Sequence, residues 1–132
     1  MLDSILEISF LDKQIGIASK PNLTVLDIGG YGRLAYRMAE TLPNLSRYFC
    51  VDAVAESTMV SELYARHRAV DSQVTVVPLD EAEQVITSSR IDVAVNIHSF
   101  SECALASIEF WLDLIDRAGI PWIFVVPTLA TG

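Results

Sequence analysis

A chain of 132 residues with 52% hydrophobic side chains has the length and apolar content of one domain whose core needs neither disulfides nor a structural metal. Its nine basic and seventeen acidic residues leave a net charge of −8, which argues against nucleic acid and anionic membrane surfaces as partners. Cys50 and Cys103 form no CxxC pair, no apolar run approaches the ~20 residues of a membrane span, and no basic-then-apolar leader opens the chain, so a reducing cytoplasm is the expected compartment.

Leu2, Ile5 and Leu6 recur at helical spacing and predict a helix from Ser4 to about Asp12 within an N-terminal segment of residues 1–22. From Leu23 onward short β-rich runs alternate with longer stretches of helical period, the pattern of βαβ units around a parallel sheet. The first predicted strand is Leu23 to Ile28. Leu34, Ala35, Met38, Ala39 and Leu42 then share a helix face, closed by Pro43-Asn44. A second strand, Tyr48 to Val51, stops at Asp52, and a helix from about Glu56 to Arg68 follows. A third strand, Val74 to Val77, is halted by Pro78, and Asp80 to Ser88 form a short helix.

Ile91 to Ile97 is almost continuously apolar, as expected of a strand covered on both faces. Ala104, Ile108, Trp111, Leu112 and Ile115 mark another helix, and Trp122 to Val126 a fifth strand. Trp111 and Trp122 are expected in packing roles, and Cys50 as a small buried hydrophobe. The expected fold is therefore α/β: a doubly wound, Rossmann-like, mostly parallel sheet of order 3-2-1-4-5. Such sheets usually continue with another strand, so the chain is read as either a minimal version or part of something longer. An exposed fifth-strand edge favours pairing with a second chain or with further residues of a longer chain.

The stretch from Thr24 to Arg33 carries the chemistry. An apolar strand runs into Asp27, three glycines (Gly29, Gly30 and Gly32) and then a helix. Glycines let backbone approach a ligand closely, and a helix start offers unpaired N–H groups and a positive dipole end. Gly30 to Ala35 fits GxGxxA, and Asp52 lies twenty residues after Gly32, where a dinucleotide fold places its ribose-binding acid. Against a dinucleotide stands Asp27, whose carboxylate at a strand end repels a pyrophosphate. S-adenosylmethionine has a sulfonium, an α-ammonium and a ribose diol but no phosphate, and an acid at each of the first two strand ends suits it.

The segment Asp27 to Ala35 resembles motif I of the class I S-adenosylmethionine-dependent methyltransferases. Asp92 to Glu102 (Asp-Val-Ala-Val-Asn-Ile-His-Ser-Phe-Ser-Glu) resembles the fourth-strand motif of the sugar O-methyltransferase family within that superfamily. The likeness spans residues 23 to 127, so residues 23–132 are read as the cofactor-binding domain. The family pattern usually has one more glycine before Tyr31-Gly32-Arg33, so the loop here is one residue tighter.

The resemblance implies that Asp27 and the backbone at Gly29 and Gly30 hold the methionine part of S-adenosylmethionine, with Gly32 completing the loop. Asp52 would accept hydrogen bonds from the ribose hydroxyls. Asp80 and Glu81 would lie near the adenine amino group, and Asn96 and His98 would face the methyl donor and acceptor. An unperturbed histidine titrates near working pH, which makes His98 a candidate general base for an acceptor hydroxyl; Glu102 either caps or begins the following helix, or positions His98 or a substrate hydroxyl.

Each residue has a plainer alternative. Asp27 and Asp52 can cap turns, Asp80 can N-cap a helix, His98 can merely bond its loop, and His67 sits between two arginines as a solvated side chain. The function that follows is methyl transfer to an oxygen of a small molecule, with a sugar hydroxyl implied by resemblance alone and no metal required. A nicotinamide-dependent oxidoreductase, and a non-catalytic or excised cofactor-binding domain, remain as the other two readings.

Overall fold

The computed structural model describes residues 2–29, 33–51, 73–97 and 104–126, with the side chains of residues 2–4 and 33 left aside. Helix α1 (Leu2–Ile15) and a 3-10 turn (Ile17–Ser19) lead into strand β1 (Leu23–Ile28), helix α2 (Arg33–Thr41) and strand β2 (Leu45–Val51). Then come β3 (Val74–Val77), α3 (Leu79–Ser88), β4 (Val93–Ile97), α4 (Leu105–Arg117) and β5 (Ile123–Val126). All five strands are parallel, in the order β3-β2-β1-β4-β5. The predicted sheet order is the observed one. The helix predicted at Glu56 to Arg68 lies outside the described residues.

Alternation along the strands divides the core in two. Val25, Tyr48, Cys50, Val93 and Val95 face one way and pack with Leu34, Ala35 and Met38 of α2. Leu26, Ile28, Phe49, Val51 and Ala94 face the other way, onto Ala82 and Ile86 of α3 and Trp111, Leu114 and Ile115 of α4. β1 is buried at every residue, as a central parallel strand covered on both faces must be.

The N-terminal helix is longer than its sequence pattern suggests. Leu11 and Ile17 belong to the same buried cluster as Leu23 and Val25, and Phe10 stacks on Phe124 of β5 with ring centroids 5.3 Å apart. Gly16 ends α1 at φ 68, a left-handed conformation that costs glycine little. Asn44 fastens the segment: its side-chain amide donates to the carbonyls of Ile17 and Lys20 at 2.8 and 2.7 Å.

Several predicted boundaries shift for identifiable reasons. β2 begins at Leu45 rather than Tyr48, because Leu23 pairs with Leu45 but Thr24 with Arg47. That slip inserts Ser46, and the exposed Ser46 and Arg47 disguise the start of the strand. In α4 the buried face is Trp111, Leu114 and Ile115, with Ile108 packed beside it. Leu112, predicted to face inward, turns out at 43% exposure, since it falls about 100° from Trp111 around the helix. Trp122 is 51% exposed, so only one of the two tryptophans is a core residue. β5 forms one edge of the described sheet. No described helix is long and apolar enough to cross a membrane.

Candidate functional site

The site is built where β1 and β4 part company. They pair from Val25 with Val93 to Asp27 with Val95, and there the ladder stops. One residue further on, the fully buried Asn96 donates its side-chain amide to the Ile28 carbonyl at 2.9 Å. A side chain thus serves a backbone acceptor at the point where the two strands diverge. On the other side β1 stays with β2: the Gly29 N–H donates to the Val51 carbonyl at 2.7 Å. Gly29 itself sits at φ 84, which turns the chain out of the sheet in a conformation that any Cβ would strain. A crevice at the carboxyl ends of strands, where two neighbours of the first strand lead in opposite directions, is where open α/β sheets bind ligands.

Asp27 is the carboxylate at that point. It is 3% exposed, with Cys50 of β2 and Val95 of β4 opposite it in register. The Tyr48 hydroxyl, itself wholly buried, donates to Asp27 Oδ2 at 2.6 Å. That length is characteristic of a hydroxyl donating to a charged oxygen. A buried charge is costly unless paired or hydrogen-bonded, so an acid held here in an otherwise apolar strand points to a cationic or donor-rich ligand.

Asp80 and Glu81 stand in the first turn of α3, just beyond β3 and at the same end of the sheet, and both are exposed. Pro78, not Asp80, is the N-cap of that helix, so the capping alternative fails. The two acids complement the helix dipole and leave their oxygens open to solvent or ligand. Among the described residues, Asp27 near the end of β1 and Asp80 and Glu81 after β3 place acids at this end of the sheet, which suits a cationic ligand better than a pyrophosphate.

Among solved structures, an S-adenosylmethionine-dependent methyltransferase from Aquifex aeolicus superposes with a TM-score of 0.68 at 19% identity, over 89% of this chain and 60% of that one. An uncharacterized protein from Listeria monocytogenes serotype 4b gives 0.67 at 16% identity, over 92% of this chain and 51% of the other. A third, from Thiobacillus denitrificans, is an S-adenosylmethionine-dependent methyltransferase in complex with S-adenosylhomocysteine, with a TM-score of 0.61 at 17% identity, over 89% and 44% of the two chains. The fold is that of the S-adenosylmethionine-dependent methyltransferases. No family model and no curated protein matches the sequence. The chain spans about half the length of these structures.

Within this methyltransferase fold the structure brings three of the predicted residues together: Asp27, Gly29 and Asn96 line the parting of β1 and β4. Asp80 and Glu81 lie beyond β3, separated from β1 by β2. Gly30, Gly32, Asp52, His98 and Glu102 lie outside the described residues. Two of them directly follow described strand ends, Asp52 after Val51 and His98 after Ile97.

Tyr48 and Asp92 carry structural weight that the sequence reading missed. Tyr48 was visible only as a strand residue, because its value depends on the β1–β2 register: Val25 pairs with Tyr48, which lets the phenol reach forward along the same face to Asp27. Asp92 sits at the far end of the sheet, where its Oδ2 accepts the buried Thr24 N–H at 2.9 Å.

Burial, then the nearby Asp27 charge, holds the Tyr48 phenol well above its usual 10.0. Burial and Asp27 likewise push the Cys50 thiol well above 9.0. The folded protein therefore keeps two protons that the unfolded chain releases. Stability from this source is intact below pH 9 and is lost as pH rises through 9 and then 10, by up to ~1.4 kcal/mol per pH unit for each group. Urea unfolding at a series of pH values from about 8 to 11 reads this as a falling midpoint. In Cys50→Ala the portion beginning near pH 9 disappears.

Proposed function

We propose that this chain binds S-adenosylmethionine at the carboxyl ends of its strands and serves methyl transfer to an oxygen of a small molecule, a sugar hydroxyl being the acceptor class that the fourth-strand motif favours. The observation that carries the reading is Asp27: a buried carboxylate beside the Gly29 turn, at the parting of β1 and β4. S-adenosylmethionine presents an ammonium and a sulfonium where a dinucleotide presents a pyrophosphate, so this acid attracts the first and repels the second. The superpositions on methyltransferases, one holding S-adenosylhomocysteine, support the same choice, although a shared fold alone does not fix a reaction.

When bound, the cofactor supplies an electrophilic methyl group. Asp27 and the backbone at Gly29, Gly30 and Gly32 hold its amino-acid part, Asp52 the ribose, and Asp80 and Glu81 the adenine edge. Asn96 fixes the Ile28 carbonyl and with it the start of the glycine turn. His98, the residue after Ile97 in the sequence, takes the proton of the acceptor hydroxyl, and Glu102 orients it. The remaining contribution is alignment of acceptor and donor, which in displacement reactions carries much of the rate.

Titration calorimetry with S-adenosylhomocysteine and with NADH tests the cofactor. S-adenosylhomocysteine is expected to bind and NADH is not; the reverse result would sink the proposal and favour an oxidoreductase. Incubation with methyl-labelled S-adenosylmethionine and a panel of monosaccharides then tests the acceptor. Binding without transfer to any hydroxyl would leave a cofactor-binding domain rather than a complete enzyme.

A further inference from the structure

We infer that Tyr48 is a positioning residue for the cofactor: through its hydrogen bond to Asp27 Oδ2 it holds the carboxylate in the orientation that receives the α-ammonium of the amino-acid part. This inference rests on the proposed binding of S-adenosylmethionine and adds to it a residue that touches no ligand itself.

The geometry is specific. Tyr48 and Cys50 project from β2 onto the face occupied by Val25 and Asp27 of β1, and Asp27 lies opposite Cys50. The Tyr48 ring therefore runs along the strand direction, and its hydroxyl reaches the carboxylate at 2.6 Å. Both residues are buried, and each lies in a strand paired in parallel with a neighbour on either side. Such a donor leaves the carboxylate little freedom to rotate about its last torsion. Burial and then Asp27 hold the phenol above its ordinary range, which keeps it a donor at neutral pH. Phenylalanine would fill the same volume in a strand of this kind, so packing alone does not account for the hydroxyl's placement.

The test compares two ligands in Tyr48→Phe. S-adenosylhomocysteine carries the amino-acid group, whereas 5′-methylthioadenosine shares its adenosine and thioether and lacks that group. Wild-type protein is expected to bind both in titration calorimetry. In Tyr48→Phe the Kd for S-adenosylhomocysteine should rise roughly 3- to 10-fold, the scale of one hydrogen bond acting through a charged group. The Kd for 5′-methylthioadenosine should stay within error of wild type.

Equal weakening of both ligands would overturn the inference, since a general loosening of the sheet does not distinguish them. An unchanged Kd for S-adenosylhomocysteine would overturn it as well. Absence of S-adenosylhomocysteine binding in the wild type would instead bring down the cofactor reading itself. Should Tyr48→Phe fail to fold, the double variant Asp27→Asn/Tyr48→Phe, which removes the buried charge together with the phenol, answers the same question. Its affinity for S-adenosylhomocysteine should equal that of Asp27→Asn, and any further fall counts against the inference.

Discussion

Asp27→Asn should weaken S-adenosylhomocysteine binding by about 10- to 100-fold, while leaving 5′-methylthioadenosine almost untouched. The substitution keeps the shape of the side chain and retains an oxygen able to accept from Tyr48, which donates to Oδ2 at 2.6 Å, so the fold survives. What disappears is the negative charge at the end of β1, in a setting where Asp27 is 3% exposed and water screens little. The α-ammonium of the ligand then meets a neutral amide. Asp27→Ala removes more: it strands a wholly buried phenol without its acceptor, at a cost of about 1 to 3 kcal/mol in stability besides the lost affinity. Thermal melts and calorimetry on the two variants separate these effects. Asn should affect binding and Ala both. Comparable loss for the two ligands in Asp27→Asn would move the carboxylate away from the amino-acid part.

The residues that made Asp27 legible in the sequence were its neighbours. An acid closing an apolar strand and followed by glycines has few explanations, and the turn at Gly29 has the positive φ such a loop needs. The sheet order was legible for a similar reason: βαβ units cross over with one hand, and short apolar runs separated by amphipathic helices leave few topologies. Tyr48 was not legible, because a hydroxyl in a strand acquires meaning only from the residue across the ladder, and register is a property of two segments together. Ser46 illustrates the limit, since the slip between the Leu23 and Thr24 pairings is written in neither strand alone. Asn96 was read as a residue facing the ligand. Its amide also reaches back to the Ile28 carbonyl, a contact that follows from the divergence of β1 and β4 and that the sequence does not display. Of the two tryptophans expected in packing roles, Trp111 is buried and Trp122, beside the edge strand, stands half in solvent.

Asp92→Ala should be the most destabilising polar substitution outside the site, at about 3 kcal/mol, a large share of the ~5 to 15 kcal/mol that holds a typical domain together. Asp92 and Thr24 clamp the starts of β4 and β1 by two bonds. The Asp92 N–H donates to the Thr24 carbonyl at 2.9 Å, and the Thr24 N–H donates to Asp92 Oδ2 at 2.9 Å. Both residues are nearly buried, so alanine leaves a backbone donor with neither its acceptor nor ready access to water. The Arg90 guanidinium, 3.2 Å from Asp92 Oδ1, is 76% exposed; Arg90→Ala should therefore cost only ~0.5 kcal/mol or less. Asp92→Asn keeps an acceptor and should fall between the two. Urea unfolding of the three variants ranks them directly. A loss in Arg90→Ala equal to that in Asp92→Ala would show that the ion pair, not the backbone clamp, supports this end of the sheet. Because the clamp lies at the amino ends of the strands and the proposed site at their carboxyl ends, folded Asp92→Asn should bind S-adenosylhomocysteine as the wild type does, which separates holding the sheet together from holding the ligand.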